Sequence, residues 1–352
     1  MTVVDFITER PYRALIGPGA LDRLGEHVRD AALVGILHAP PLASAARRAG
    51  DLVRIAGAEP VLIELPDGEA AKTPQVLARG WSALAVVGIG GGATTDLAGF
   101  IAATWMRGVR WVSVPTTVLA MVDAGIGGKT GADLPEGKNL IGAFWEPSAV
   151  LADTGLLAGL PVDDVRAGLG EVIKHGLIAD ERTLEPIEAS PLEALDPTSA
   201  LMPELIARSV RVKADVVGAD LRESTSVGDR VGREQLNYGH TMGHAIEAGE
   251  HYTRRHGECV GLGMVFAAEL AHRVIGLAPE HVERHRRMLG LVGLPTRYRG
   301  IGWQRARTLM ARDKKTRGAT LRFVGLREPG RVTVIVDPPE RALIGAWEAL
   351  TG

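Results

Sequence analysis

Cysteine is almost absent from this sequence: Cys259 is the only one among 352 residues. One thiol cannot close an internal disulfide, and it excludes a zinc module built on several cysteines. It also gives no sign of an oxidising compartment. Aromatic residues are scarce, at 4%, which argues against base-stacking surfaces for nucleic acid. Neither sign of charge dominates, since 40 lysines and arginines face 42 acids. Such a balance leaves no electrostatic footprint for nucleic acid or an anionic membrane. No apolar run reaches the roughly 18–20 residues that a membrane span needs. The start, MTVVDFITERPYRALIG, brings acids and a proline early and has no apolar h-region, so no signal peptide is expected. The expected location is the cytoplasm, with no nucleic-acid or membrane partner.

What is present suits a globular chain of about two domains. Hydrophobic residues make up 46% and charged residues 23%, enough for a real core, and the length exceeds one small domain. Strands are expected at Ala32–His38, Pro60–Leu65, Ala85–Ile89 and Trp111–Val114, with a helix over Pro40–Ala56. This alternation points to a parallel sheet with helices on both faces. After about Asp153 strand-like runs become scarce. Helical periodicity covers Pro203–Val217, Thr241–Glu250, Glu258–Ile275 and Pro279–Leu289, and Leu321–Val324 with Val332–Val336 resemble a late hairpin. The expected class is α/β plus all-α: a Rossmann-like parallel-sheet domain over 1–155, then a mostly helical domain over 156–352. Ser224–Gly232 reads as a polar loop.

Gly88-Ile-Gly-Gly-Gly-Ala-Thr-Thr-Asp96 follows an apolar strand and precedes the helix-like LAGFIAATW. Glycines at a strand–helix turn let backbone N–H groups approach a phosphate, and the helix dipole favours negative charge. The spacing is not the G-x-G-x-x-G fingerprint, and no acid is clearly placed for a ribose. A tight turn without a ligand would carry the same residues.

Ten histidines occur in the chain, and four of them fall between His240 and His256. If Asn237-Tyr-Gly-His-Thr-Met-Gly-His-Ala-Ile-Glu247 is helical, His240, His244 and Glu247 share one face. His256 opens the next helix. Two histidines from adjacent helices plus a carboxylate are the ligand set of a catalytic metal with an open position. Glu171, in GLGEVIKHG, reads as part of an apolar helix beginning, where a carboxylate needs a partner. Spacing alone leaves His240 and His244 as alternatives. Without a glutamate between the histidines of H-x3-H, the metalloprotease class is disfavoured. Lys129 and Lys138 lie in a Gly- and Asn-rich segment with apolar surroundings, Lys174 one helical turn from Glu171, Lys213 in an amphipathic helix, and Lys314 and Lys315 after an Asp in RDKKTRG. Any one lysine is ordinarily a solvated charge, yet several could converge on an anionic substrate.

The runs GGGATTDLAGFIAATWMRGVRWVSVPTTVLAMVDAGIGGKTGADLPEGKNLIGAFWEPSAVLADT, AGLGEVIKHGLIAD, LNYGHTMGHAIE, HGECVGLGMVFAAELA and DKKTRGATLRFV, in that order, resemble the 3-dehydroquinate synthases. The resemblance is dense from about Gly88 to Ala271. It implies a Rossmann-like NAD domain followed by a helical domain, with NAD and one divalent metal, zinc or cobalt. It places Glu171, His240 and His256 on the metal. It places Glu69, Lys72, Gly91, Gly92, Asp96, Thr116, Thr117 and Lys138 on the cofactor. Asp123, Lys129, Asn139, Lys174, Lys213, Arg233, Asn237, His244 and a lysine of the Asp-Lys-Lys run, Lys314 or Lys315, fall in the substrate pocket. Arg107 matches an arginine lent across a homodimer. The implied reaction turns the sugar phosphate 3-deoxy-arabino-heptulosonate 7-phosphate into 3-dehydroquinate and phosphate, by transient oxidation with NAD, phosphate elimination, reduction and intramolecular aldol closure.

The sequence departs from the family in places. His38-Ala-Pro stands where an Asp is usual, the stretch between Lys72 and Gly88 is shorter, and the Ser224–Gly232 loop is longer. Gly159, Asp164 and Gly170 also differ from the usual residues. Related sugar phosphate cyclases, including one making aminodehydroquinate, are the nearest alternatives, followed by a glycerol-dehydrogenase-like polyol dehydrogenase. A non-catalytic relative is disfavoured by the complete metal and lysine set.

Overall fold

A computed structural model gives the structure of the chain. It describes residues 1–352 except 82–84, 135–136, 225, 227–229 and 315–319, and excepting the side chains of 79 and 312–314. The strands are β1 (Thr2–Phe6), β2 (Tyr12–Ile16), β3 (Leu33–His38), β4 (Glu59–Glu64), β5 (Ala85–Gly90), β6 (Arg110–Pro115), β7 (Lys129–Leu134), β8 (Gly137–Phe144), β9 (Ala149–Ala152), β10 (Arg322–Glu328) and β11 (Arg331–Val336). The helices are α1 (Leu24–Val28), α2 (Ala43–Ile55), α3 (Pro74–Gly80), α4 (Gly92–Thr104), α5 (Val162–Ile178), α6 (Leu184–Ala189), α7 (Pro191–Ala194), α8 (Leu201–Ala219), α9 (His240–Gly249), α10 (His256–Ile275), α11 (Pro279–Leu291), α12 (Trp303–Lys314) and α13 (Glu340–Thr351). Contacts divide the chain into two units, one of 1–161 with 197–218 and one of 162–196 with 219–352. Helix α8 therefore belongs almost wholly with the sheet unit, although it follows part of the helical one in sequence.

The first unit holds a seven-stranded sheet in the order β1-β2-β9-β6-β5-β3-β4. Only β1 pairs antiparallel; the strands from β2 to β4 run parallel. Side chains alternate across it with the strand period of two. On β5, Val87 and Ile89 join one core with Val34, Ile36, Leu24 and Val53, while Val86 joins the other with Leu97, Ile101 and Trp111. A separate hairpin, β7–β8, lies in the same unit. Among its described residues, the second unit's regular elements are helices and the β10–β11 hairpin. Among the described residues, no helix is long and apolar enough to cross a membrane.

Helix α5 corrects one expectation. Glu171 is not near a helix beginning; the helix already starts at Val162. Pro161 before it and Asp163 and Asp164 in its first turn are the start signals, the acids favoured there by the helix dipole. The apolar stretch around Glu171 is the buried middle of the helix. Of the polar loop at Ser224–Gly232, residues 225 and 227–229 lie outside the described residues, as does Lys315.

Candidate metal and cofactor sites

Three helices of the second unit carry the histidine cluster. They meet through glycine. A Cβ on Gly257 of α10 would fall 1.9 Å from the Ala167 carbonyl oxygen of α5, and one on Gly263 would fall 1.9 Å from the Gly239 carbonyl oxygen. Gly239, which precedes α9, has φ 80°, a left-handed turn that glycine adopts without strain. Backbones in contact bring short side chains within reach of one ion.

Glu171 is fully buried, and Lys174 one turn along contacts its Oε2. Its Oε1 is buried and takes no hydrogen bond. The Nε2 atoms of His240 and His256 lie 3.7 and 3.8 Å from that oxygen. These separations are too long for hydrogen bonds. A tetrahedral ion with bonds of about 2.0–2.2 Å sets its ligand atoms roughly 3.4 Å apart, so the three side chains fit a shared divalent metal. Glu171, His240 and His256 each offer a ligand atom within 4.8 Å of the others. Exposed His244 sits beside them, its ring centroid 5.2 Å from that of His240 and 5.9 Å from that of His256.

His240, whose Nε2 faces Glu171, is held through its other nitrogen. His240 Nδ1–H donates to the Tyr238 carbonyl at 3.2 Å. Tyr238 is itself pinned, since its buried hydroxyl donates to His285 Nε2 at 2.7 Å. Burial pushes the His285 imidazole down to about 4, so the ring is neutral, and its Nδ1–H donates to the His281 carbonyl at 2.6 Å.

The first unit carries a different construction. Gly91 caps α4 without any side-chain bond to the helix's first N–H groups. A Cβ there would meet nothing nearer than Thr117 Cγ2 at 3.5 Å, whereas one on Gly88 would lie 2.5 Å from Ala98 Cβ. Gly88 thus serves strand–helix packing, and Gly91 leaves an open helix N-terminus suited to a diphosphate. Thr116 N–H donates to the Gly90 carbonyl at 2.9 Å, and Thr117 Oγ1 accepts from Ala120 N–H at 3.1 Å. Beside this turn, buried Lys72 donates to Asp96 at 2.9 Å and also to Asn139, with Asp133 at 3.7 Å. Burial pushes the Asp96 carboxyl up to about 6 against the pull of Lys72. Burial alone would lower Lys72, but Asp96, Glu69 and Asp133 hold it above the usual lysine value. Lys213 of α8 donates to the Asp123 carbonyl and carboxylate at 2.6 and 2.5 Å. Lys138 pairs with Glu69 at 3.3 Å near the surface.

Comparison with known proteins decides the family. The 3-dehydroquinate synthase N-terminal profile matches residues 62–167, and the C-terminal profile matches residues 168–316. The 3-dehydroquinate synthase of Cutibacterium acnes is 50% identical over 368 residues, covering 99% of both chains. The chain belongs to the 3-dehydroquinate synthase family. Thermobifida fusca supplies another 3-dehydroquinate synthase, 48% identical over 98% of this chain and 95% of its own. Among solved structures, 2-deoxy-scyllo-inosose synthase, complexed with carbaglucose-6-phosphate, NAD+ and Co2+, aligns with a TM-score of 0.85 at 25% identity over 98% of each chain.

The remaining residues expected from the 3-dehydroquinate synthase resemblance lie as follows. Arg233 is buried, its backbone N–H on Asp220 at 3.0 Å and its guanidinium on the Leu221 carbonyl at 2.7 Å. Asn237 ends the same short turn, which leads through Gly239 into His240. Arg107 is exposed, with φ 66° next to Met106 at φ 48°. Lys129 is exposed at the start of β7. The Lys314 side chain lies outside the described residues. His38 ends β3, buried, with Nδ1–H donating to the Ala39 carbonyl at 2.9 Å. Sequence reasoning missed Asp133 and the Tyr238–His285 pair. Glu247 was placed on the histidine face but given no task.

Proposed function

We propose that the chain is a 3-dehydroquinate synthase, converting 3-deoxy-arabino-heptulosonate 7-phosphate to 3-dehydroquinate and phosphate. The observation that carries this reading is the buried Glu171 Oε1, without a hydrogen bond and faced by the Nε2 atoms of His240 and His256, in a chain of this family. Glu171, His240 and His256 would hold zinc or cobalt, which as a Lewis acid polarises substrate hydroxyls. Gly91, Gly92, Asp96, Thr116 and Thr117, with Lys72, Glu69 and Lys138, would hold NAD, which takes up a hydride and returns it.

The chain's own groups do the rest. Lys174, one turn along on the same helix, contacts the second oxygen of Glu171 and would hold the carboxylate in place as a ligand. His244, exposed beside the cluster, is placed to move a proton at a substrate hydroxyl. Asp123 and Lys213 form an ion pair whose charges orient a polar substrate, and Asn139 fixes the Lys72 ammonium. Lys129, Arg233, Asn237 and Lys314 are assigned to the substrate's carboxylate, hydroxyls and phosphate, where cationic forks and points hold anions in one geometry. Arg107, exposed on a strained turn, serves a neighbouring copy in a homodimer located in the cytoplasm.

Phosphate release is the test. The purified chain is assayed with the heptulosonate phosphate, its amino analogue and sedoheptulose 7-phosphate, with and without NAD and a chelator; light scattering weighs the same sample for a dimer. Release from the heptulosonate alone, stopped by the chelator, is expected. Preference for the amino analogue or sedoheptulose 7-phosphate would assign the chain to a related cyclase, and turnover of none would sink the cyclase reading.

A further inference from the structure

Glu247 has no part in the function just described, yet it is buried, at 7% exposure, inside the metal cluster. It lies two turns after His240 on α9, on the same face. Its Oε2 sits 3.3 Å from His256 Nδ1. We infer that Glu247 is a positioning residue for the metal centre, holding the His256 ring so that Nε2 becomes the ligand atom. This rests on the assignment of Glu171, His240 and His256 as the metal's ligands.

A carboxylate only accepts, so His256 Nδ1–H is the donor in this contact and Nε2 is the nitrogen that carries the lone pair. That nitrogen is the one 3.8 Å from Glu171 Oε1. The ring needs such a hold because His256 is the first residue of its helix, following extended Arg255. No earlier helical turn supports it. Glu247 supplies the support from α9 and anchors the connection as well: its carbonyl accepts from Tyr252 N–H at 2.8 Å. His251 and Tyr252 there have φ of 54° and 60°, a left-handed conformation that non-glycine residues adopt only under strain.

The two histidines are held by unlike partners. His240 leans on a neutral carbonyl, His256 on a carboxylate. An anionic partner raises the basicity of the opposite ring nitrogen and strengthens its bond to a cation. It also supplies negative charge that Glu171 cannot supply alone, since Lys174 already offsets that carboxylate. Glu247 also forms, with His244 and His256, a second group able to hold an ion. As a ligand there it would compete with the first site for His256.

The test strips the chain of metal and titrates zinc or cobalt against a competing chelator. It compares the wild type with Glu247→Gln, which keeps an acceptor but not the charge, and Glu247→Ala, which keeps neither. Circular dichroism checks that the apo forms are folded. One ion per chain is expected, bound about 10-fold more weakly by Glu247→Gln and up to about 100-fold more weakly by Glu247→Ala. The visible bands of the cobalt form should shift in Glu247→Gln at unchanged stoichiometry. If Glu247→Ala does not fold, Glu247→Gln decides. Wild-type affinity and an identical cobalt spectrum in folded Glu247→Gln would overturn the inference. Two ions in the wild type and one in a Glu247 variant would overturn it too, making Glu247 a ligand. A wild-type chain that binds no ion would instead overturn the metal assignment itself.

Discussion

Lys72 and Lys213 in the first unit and Glu171 in the second are all buried charges, but their surroundings differ in kind. Each of the two lysines meets carboxylates of its own unit, Asp96 and Asp133 around Lys72 and Asp123 on Lys213. Glu171 meets Lys174 on one oxygen, and its other oxygen faces the Nε2 atoms of His240 and His256 at 3.7 and 3.8 Å, beyond hydrogen-bond reach. Burying a charge is costly unless it is paired. The cofactor half satisfies that requirement within the polypeptide. The metal half leaves one oxygen to be satisfied by something added. Binding of an ion should therefore stabilise the second unit directly, as ligand binding to the folded state does.

Three substitutions would break or sharpen this contrast. Glu171→Ala is expected to have the largest effect. Without the carboxylate the ion should be lost on gel filtration and turnover should fall by at least about 10³-fold, the equivalent of several kcal/mol of Lewis-acid stabilisation. A variant that stays metallated and active would remove Glu171 from the ligand set, and the contrast with it. His244→Ala comes next: metal analysis should find the ion retained, while phosphate release drops about 10²–10⁴-fold, the range for a lost proton-transfer group. Loss of the ion instead would exchange the tasks of His240 and His244.

Asp96→Asn probes the self-sufficient half and has the smallest effect. The Asp96 carboxyl stands at about 6 against 3.8 for an ordinary aspartate. A raised value means that the folded chain holds the proton more tightly than the unfolded one. The resulting stability is complete below about pH 3.8 and lost as pH rises through about 6. Asn does not titrate, so the wild-type advantage at low pH should shrink towards neutrality by up to about 3 kcal/mol. Denaturant midpoints across this range measure it. Parallel curves for the two proteins would mean that the carboxyl does not feel its burial.

Much of the first unit was legible because parallel strands announce themselves as short apolar runs. β3, β4, β5 and β6 lie where Ala32–His38, Pro60–Leu65, Ala85–Ile89 and Trp111–Val114 placed them. The β7–β8 hairpin was not, because its strands mix glycine and polar residues instead of forming short apolar runs. Nor were β1 and β2, of which β2 joins the sheet by pairing with the remote β9. The histidines were visible as a cluster, but the choice between His240 and His244 was not in the spacing. Their surroundings differ, His240 being buried with Nε2 facing Glu171 and His244 open to solvent, and this difference favours His240. The buried lysines escaped a residue-by-residue reading for a similar reason. Lys72 finds Asp96 at 24 positions' distance and Asn139 at 67, and such pairings exist only once the chain has folded.

The glycine contacts among α5, α9 and α10 carry an implication for how such a centre can change. With main chain resting on main chain, the cage around the ion has almost no slack that a side-chain swap could take up. Enlarging any of these glycines by one methyl would push a whole helix, and with it a ligand. The dimensions of the cage are thus inherited together with the fold, while the electronic character of its ligands stays open to revision through single residues at its edge, where the second nitrogen of each imidazole meets its partner.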